Sequence, residues 1–106
     1  MRKLSALACC ALLVAVPGLA QANPALAQKK NCMACHAVDK RLVGPSFKDI
    51  GSKYAKQDGA AADLATRIVK GSSGRWGPVP MPANPQVSAE DAQALSTWIL
   101  ELGGKP

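Results

Sequence analysis

Hydrophobic positions divide the chain into an apolar N-terminal run and four segments with helical spacing. Residues 4–16 form an unbroken series of small and apolar residues. Further along, apolar residues recur at intervals of three and four, as they do on one face of an α-helix. This spacing predicts helices over residues 23–35, 46–54 and 60–70, and a last one from residue 88 to the glycines at 103–104. No segment of any length alternates as a strand would, so the predicted fold class is small and all-α.

Local signals place the ends of these helices. Asn23 is a suitable cap and Pro24 suits the first helical position, so the first helix is expected to run from there to about Cys35. Ser88 caps the last helix, and acidic residues occupy its first turn. Its apolar stripe consists of Ala92, Leu95, Trp98, Ile99 and Leu102. Residues 71–85 are too rich in glycine and proline for a helix or a central strand, which predicts a loop.

Residues 1–22 have the pattern of a secretory signal peptide. A basic head precedes the apolar run, Pro17 and Gly18 interrupt it, and residues 20–22 (AQA) resemble a cleavage site. A membrane anchor is the alternative, but the run is shorter than the ~20 residues that span a bilayer. A second possible cleavage site ends at Ala27, although cutting there would remove the start of the first helix. We therefore predict cleavage after Ala22 and one domain over residues 23–106.

Cleavage would change both the cysteine count and the charge. Of four cysteines, only Cys32 and Cys35 would remain, so none is available for a structural disulfide elsewhere. The folded state of so small an exported chain usually needs a stabilising element besides its hydrophobic core, such as a disulfide or a bound metal. The charge would fall from +6 to +4, with 11 basic and 7 acidic residues. That excess suits electrostatic docking on an acidic partner, and equally an ordinary solvated surface. No nucleic-acid motif is present.

The remaining cysteines belong to the sequence Cys32-x-x-Cys35-His36, the attachment motif of c-type haem. Each thiol can add to one haem vinyl group, and the adjacent imidazole can ligate the iron. A redox dithiol of the thioredoxin kind would require alternating strands and helices. A structural zinc site would require four ligands, and the chain beyond residue 22 supplies three. The motif therefore predicts one covalently bound haem c.

The ligand on the second face of the iron determines the function. His36 is the single histidine, so the other ligand must be Met, Lys, Tyr, an amine or nothing. Met33 lies inside the attachment motif, whereas Met81 stands between two prolines in the predicted loop. We predict His36 and Met81 as axial ligands, with the Pro45 carbonyl accepting a hydrogen bond from the His36 ring.

Two protein ligands favour single-electron transfer, because substrate could bind only by displacing one of them. Sulfur ligation also raises the haem potential. The alternative is a small haem peroxidase or a gas-binding haem sensor with an open distal site. Such a protein needs distal acid–base residues, and the sequence offers no second histidine. We therefore expect an electron-transfer protein and no enzyme activity.

The chain resembles the small class I bacterial cytochromes c of the cytochrome c-551 type. The resemblance rests on residues 32–37, 43–45, 71–84 (GSSGRWGPVPMPAN) and the helix containing Trp98, in that order and spacing. It implies a periplasmic, monomeric carrier of about four short helices around one low-spin haem. It also implies electrons arriving from a bc complex and passing to a nitrite reductase, a terminal oxidase or a peroxidase.

The resemblance further implies roles for individual side chains. Arg67 and Trp76 would bond a haem propionate, and the Asn84 side chain would donate towards the Met81 sulfur. The residues expected to line the haem or the core are Phe47, Tyr54, Leu64, Ile68, Leu95 and Trp98. The lysines that could surround the exposed haem edge and meet acidic partners are Lys29, Lys30, Lys40, Lys48 and Lys53.

Overall fold

The computed structural model describes residues 10–12 and 22–104, and these form four α-helices and a short 3₁₀ helix without a β-strand. The helices are α1 (Ala22–Lys29), α2 (Phe47–Tyr54), α3 (Ala60–Lys70) and α4 (Ala89–Gly104), and the 3₁₀ helix spans Cys32–Ala34. This confirms the predicted all-α class. Most of the predicted signal peptide lies outside the described residues. Within those residues, no helix combines the length and apolar character that crossing a bilayer requires.

The middle helices begin and end as their sequences indicate. Ser46 caps α2: its Oγ accepts a hydrogen bond from the Asp49 amide at 3.0 Å. The α3 helix follows a turn that ends at Gly59 (φ 71°) and stops before Gly71, whose φ of 85° favours glycine. Each helix buries the residues spaced at three and four along its sequence, because these share one face. They are Phe47, Ile50 and Tyr54 in α2, and Leu64 and Ile68 in α3.

The prediction of one helix from Asn23 to about Cys35 is wrong. Helix α1 ends at Lys29, and Asn31 adopts a left-handed conformation with φ 67° and ψ 19°. That conformation cannot continue a right-handed helix, and asparagine tolerates it better than most residues. A separate 3₁₀ turn then carries the cysteines, and the Cys35 and His36 amides both donate to the Cys32 carbonyl. The attachment motif is therefore positioned by its own turn and not by α1.

Helix α4 forms the centre of the packing and contacts α1, α2 and α3. Its buried residues include Ala92, Leu95, Trp98 and Ile99. Helix α4 ends at Gly104, as predicted, and both glycines belong to its last turn. A Cβ at Gly103 would overlap the Gly51 backbone, so glycine at both positions lets α4 approach α2 closely.

Candidate haem site

A cavity opens between helices α2, α3 and α4 and two loops, residues 36–45 and 71–84. The helices supply its apolar surface, and the loops supply the groups that can ligate or bond a cofactor. The apolar lining residues from the helices are Phe47, Ile50, Tyr54, Leu64, Ile68 and Ile99. Leu95 and Trp98, which were expected to line either the haem or the core, lie in the core. Apolar side chains of the helices therefore form the sides of the cavity, and loop residues form its rim.

The His36 imidazole lines the cavity and is held from three sides. It is 8% exposed, and its Nδ1 lies 2.7 Å from the Pro45 carbonyl oxygen, a distance at which Nδ1–H donates. Its ring stacks on Phe47, with centroids 5.1 Å apart and planes 22° from parallel. Gly44 passes so close that a Cβ there would lie 2.6 Å from the ring's Cε1. Because Nδ1 is used by Pro45, Nε2 is the nitrogen left for a metal ion.

The two thiols of the motif line the same cavity as His36. Cys32 and Cys35 are half-buried and are not joined to each other. Burial raises the pKa of the Cys32 thiol, and a backbone hydrogen bond opposes part of that rise. A raised pKa keeps the thiol protonated near neutral pH. The 3₁₀ turn and the residues after it thus present two thiols and an imidazole to one space.

Met81 reaches the cavity from the second loop, where the backbone fixes its position. The Met81 amide donates to the Ser72 carbonyl at 2.8 Å, and the Ser72 amide returns a bond to the Met81 carbonyl at 3.0 Å. Gly71 makes this crossing possible, because a Cβ there would lie 2.9 Å from the Met81 carbonyl oxygen. The half-buried Met81 side chain packs against the core. The thioether is therefore placed by a closed loop and not by a helix.

Arg67, Trp76 and Asn84, the predicted supporting residues, all line the cavity. Arg67 donates through Nη1 to the Tyr54 hydroxyl at 3.0 Å and pairs through Nη2 with Asp63 on the preceding turn. The Asn84 Nδ2 donates to the backbone carbonyls of Ile68 at 2.9 Å and Pro82 at 3.2 Å. Both amide hydrogens thus have backbone acceptors, which ties the Met81 loop to α3. The donation of Asn84 to the Met81 sulfur stays a prediction, and it would require the amide to give up one of these two acceptors.

Sequence reasoning missed two cationic residues at this site. Arg41 and Arg75 line the cavity, and with Arg67 they give the described lining three arginines and no carboxylate. None of the five lysines expected around the haem edge is in that lining. Lys30 instead pairs with Asp91 at 3.4 Å. The position of Arg41 shortly after the haem motif could have suggested a role at the site. Only the fold shows that Arg41, Arg67 and Arg75 come together at the cavity.

The donor set and the surroundings fit a covalently attached haem. Cys32 and Cys35 would hold it through thioethers, while His36 and Met81 offer nitrogen and sulfur to the iron. Apolar helix faces suit the macrocycle, and Arg67 at the rim suits an anionic propionate. A haem bound here supplies a one-electron redox couple. The polypeptide's part is to hold four groups at fixed places and to keep water from the apolar sides.

Comparison with known proteins agrees with this site. A family model described as cytochrome c matches residues 20–103. Cytochrome c-552 of Nitrosomonas europaea is 56% identical over 99 residues, covering 93% of this chain and 94% of the relative. Cytochrome c-551 of Pseudomonas aeruginosa is 49% identical over 88 residues, covering 83% and 84%.

The fold agrees as well. The crystal structure of wild-type Nitrosomonas europaea cytochrome c552 has a TM-score of 0.74 and 55% identity, covering 76% of this chain and 99% of that one. The chain therefore belongs to the cytochrome c family, as a small class I electron-transfer protein that is not an enzyme and that carries one covalently attached haem c.

Proposed function

We propose that this protein is a periplasmic carrier that moves single electrons between respiratory complexes, through a low-spin haem ligated by His36 and Met81. The observation that carries the proposal is that the His36 imidazole and the Met81 thioether line one cavity together with both thiols. Electrons would arrive from a bc complex and leave to a nitrite reductase, a terminal oxidase or a peroxidase. The names of the similar proteins, cytochromes c-551 and c-552, support this class of carrier.

The support of both ligands suits repeated electron transfer. His36 is held by the Pro45 carbonyl and by Phe47, and the Met81 backbone is held by two bonds to Ser72. Groups held in this way need little rearrangement when the iron changes oxidation state. A thioether also favours the ferrous form and raises the potential. The result is a site built for gaining and losing one electron and poorly suited to bond-making chemistry.

A spectrum of the ferric holoprotein tests the ligation. Methionine sulfur on ferric haem iron gives a weak far-red charge-transfer band, and we expect it in the wild-type protein. Met81→Ala should abolish the band, whereas Met33→Leu is the matched control and should keep it, because Met33 lies in the attachment motif. A wild-type ferric protein that is high-spin and lacks the band would contradict His36/Met81 ligation. So would a band that survives in Met81→Ala.

The charge of the protein suits partners with acidic docking surfaces. The part from residue 23 onward carries 11 basic and 7 acidic residues. Turnover with purified candidate reductases and oxidases should fall steeply as salt is added, since exposed charges are screened beyond about 8–10 Å at physiological ionic strength. Rates that do not depend on salt would exclude charge steering. The partner with the fastest salt-sensitive rate would be assigned as the acceptor.

Export is part of the same proposal. We infer cleavage after Ala22, followed by function of residues 23–106 as a monomer in the periplasm. N-terminal sequencing of the haem-bearing protein from the periplasmic fraction should give a chain that starts at Asn23. A chain that starts at Gln28 would show that the second possible site, ending at Ala27, is used. A haem-bearing protein found only with the membrane fraction would contradict cleavage.

A further inference from the structure

The segment from Ser72 to Met81 is a loop closed at its base and held separately at its tip. The base is the pair of hydrogen bonds between Ser72 and Met81, and the amide of Asn84 adds a bond to the Val69 carbonyl of α3. The tip contains Trp76. Contacts to the tip come from Lys53, whose Nζ donates to the Arg75 carbonyl at 3.4 Å and lies 4.4 Å from the centroid of the Trp76 ring, and from Arg41.

Arg41 supplies one of these contacts from the other side of the cavity. Its Nη2 donates to the Trp76 carbonyl at 3.1 Å, across 35 positions of sequence. The backbone of Arg41 forms a bridge with His36, and the Gly44 amide donates to the Cys35 carbonyl at 2.8 Å. Arg41 is therefore tied to the segment that carries His36. The Arg41 side chain thus links the loop of one candidate ligand to the loop of the other.

The surroundings of Arg41 indicate that this link is its main intramolecular contact. The side chain is exposed and lines the cavity, and within the described residues it has no acidic partner. Gly77 leaves room for the guanidinium, since even a Cβ there would stay 4.0 Å from Nη2. The neighbouring Lys40 is also exposed but makes no side-chain hydrogen bond or ion pair among the described residues. Lys40 is thus a matched control with the same charge.

We propose that Arg41 is a positioning residue that keeps the Met81 loop closed by joining it to the His36 segment. The inference rests on Met81 being the axial ligand. A small ligand such as imidazole can bind ferric iron only when Met81 has moved away. Its apparent affinity is the intrinsic affinity multiplied by the fraction of open molecules. Weakening the Arg41 contact raises that fraction and leaves the intrinsic affinity unchanged.

The test is an imidazole titration of ferric holoprotein, followed by loss of the far-red sulfur band. Arg41→Met keeps an unbranched apolar stem and removes the guanidinium donors. We expect it to bind imidazole about two- to tenfold more tightly than wild type, the factor that one exposed hydrogen bond supports. Lys40→Met should match wild type, and Arg41→Lys, which retains a donor, should fall between the two. The far-red band without imidazole should be present in every variant.

An imidazole affinity of Arg41→Met equal to that of wild type would overturn the proposal. So would an increase of the same size in both, since that result assigns the effect to net charge. Absence of the far-red band from the wild-type protein is a separate outcome, because it contradicts Met81 ligation itself. Because Arg41 is exposed, the variants should fold, and their haem absorbance before titration verifies this.

Discussion

Alanine at Gly44 should displace the His36 ring and destabilise the holoprotein. A Cβ there would lie 2.6 Å from Cε1, 3.0 Å from Nδ1 and 3.2 Å from Nε2 of the imidazole. Carbon atoms pack best at about 3.5–4.0 Å, so the overlap at Cε1 is about 1 Å. The ring has little room to retreat, because Pro45 holds Nδ1 at 2.7 Å and Phe47 stacks on its face.

Overpacking of this kind costs about 1–3 kcal/mol. For a domain of this size, each 1 kcal/mol lowers Tm by about 4–8 °C, so we expect Gly44→Ala to unfold about 5–20 °C below wild type. The assay is thermal unfolding of the ferric holoprotein, followed by haem absorbance. Proton NMR of the ferric state supplies an independent readout, since the shifts of the haem methyl groups depend on the orientation of the axial imidazole. We expect this methyl pattern to change.

Gly104→Ala is the matched control for this measurement. Among the described residues, no atom beyond its chain neighbours and its own helix backbone lies within 4 Å of a Cβ at Gly104. The residue is helical, so alanine should be neutral or stabilise the protein by up to about 1 kcal/mol. The reasoning about His36 would be refuted by a Gly44→Ala protein whose stability is within about 0.5 kcal/mol of wild type and whose methyl pattern is unchanged. Such a result would mean that the loop containing Gly44 can move away from the His36 ring with little change in the free energy of unfolding.

Three further substitutions test the packing around the site. Gly103→Ala should lower the free energy of unfolding by about 1–3 kcal/mol in guanidinium titrations, because its Cβ would overlap the backbone of the crossing helix, while Gly104→Ala again serves as control. Ser46→Ala removes the cap of α2 and should cost about 1 kcal/mol in the same titration; Ser46→Asp, which can also cap, should recover most of it. Tyr54→Phe removes the hydroxyl that accepts from Arg67, at a cost of about 0.5–1.5 kcal/mol, and no loss would mean that the guanidinium finds another acceptor.

The helices could be predicted from the sequence because their signals are local. The spacing of Leu64 and Ile68 and the capping position of Ser46 depend on neighbours within one or two turns, and the structure confirms α2 and α3. The first helix was predicted too long because its sequence lacks a glycine or proline stop before the cysteines. The left-handed conformation of Asn31 supplies that stop. Asparagine permits this conformation but does not require it, so the sequence alone could not locate the break.

The contacts that complete the site depend on residues far apart in the sequence. Arg41 meets the Trp76 carbonyl across 35 positions, and Gly51 meets Gly103 because two helices cross there. No periodicity or propensity encodes such a pair, since each partner looks ordinary in its own segment. The attachment motif could be identified because its chemistry requires a fixed local spacing. The supports of that motif could not, because they arise only when the loops meet.

The division between helices and loops also explains how so small a chain can serve electron transfer. The helices bury a core with Leu95 and Trp98 at its centre and leave an apolar cavity beside it. Every group proposed to ligate the iron or to attach the haem covalently lies outside the four α-helices: the thiols and His36 follow α1, and Met81 follows α3. Loops are usually the mobile parts of a protein, whereas electron transfer favours ligands that stay in place. Hydrogen bonds to backbone groups resolve this conflict, because the Pro45 carbonyl holds the His36 ring and the Ser72–Met81 pair holds the Met81 segment without requiring a helix. The stability of the redox site should therefore depend more on these loop contacts than on the helical core.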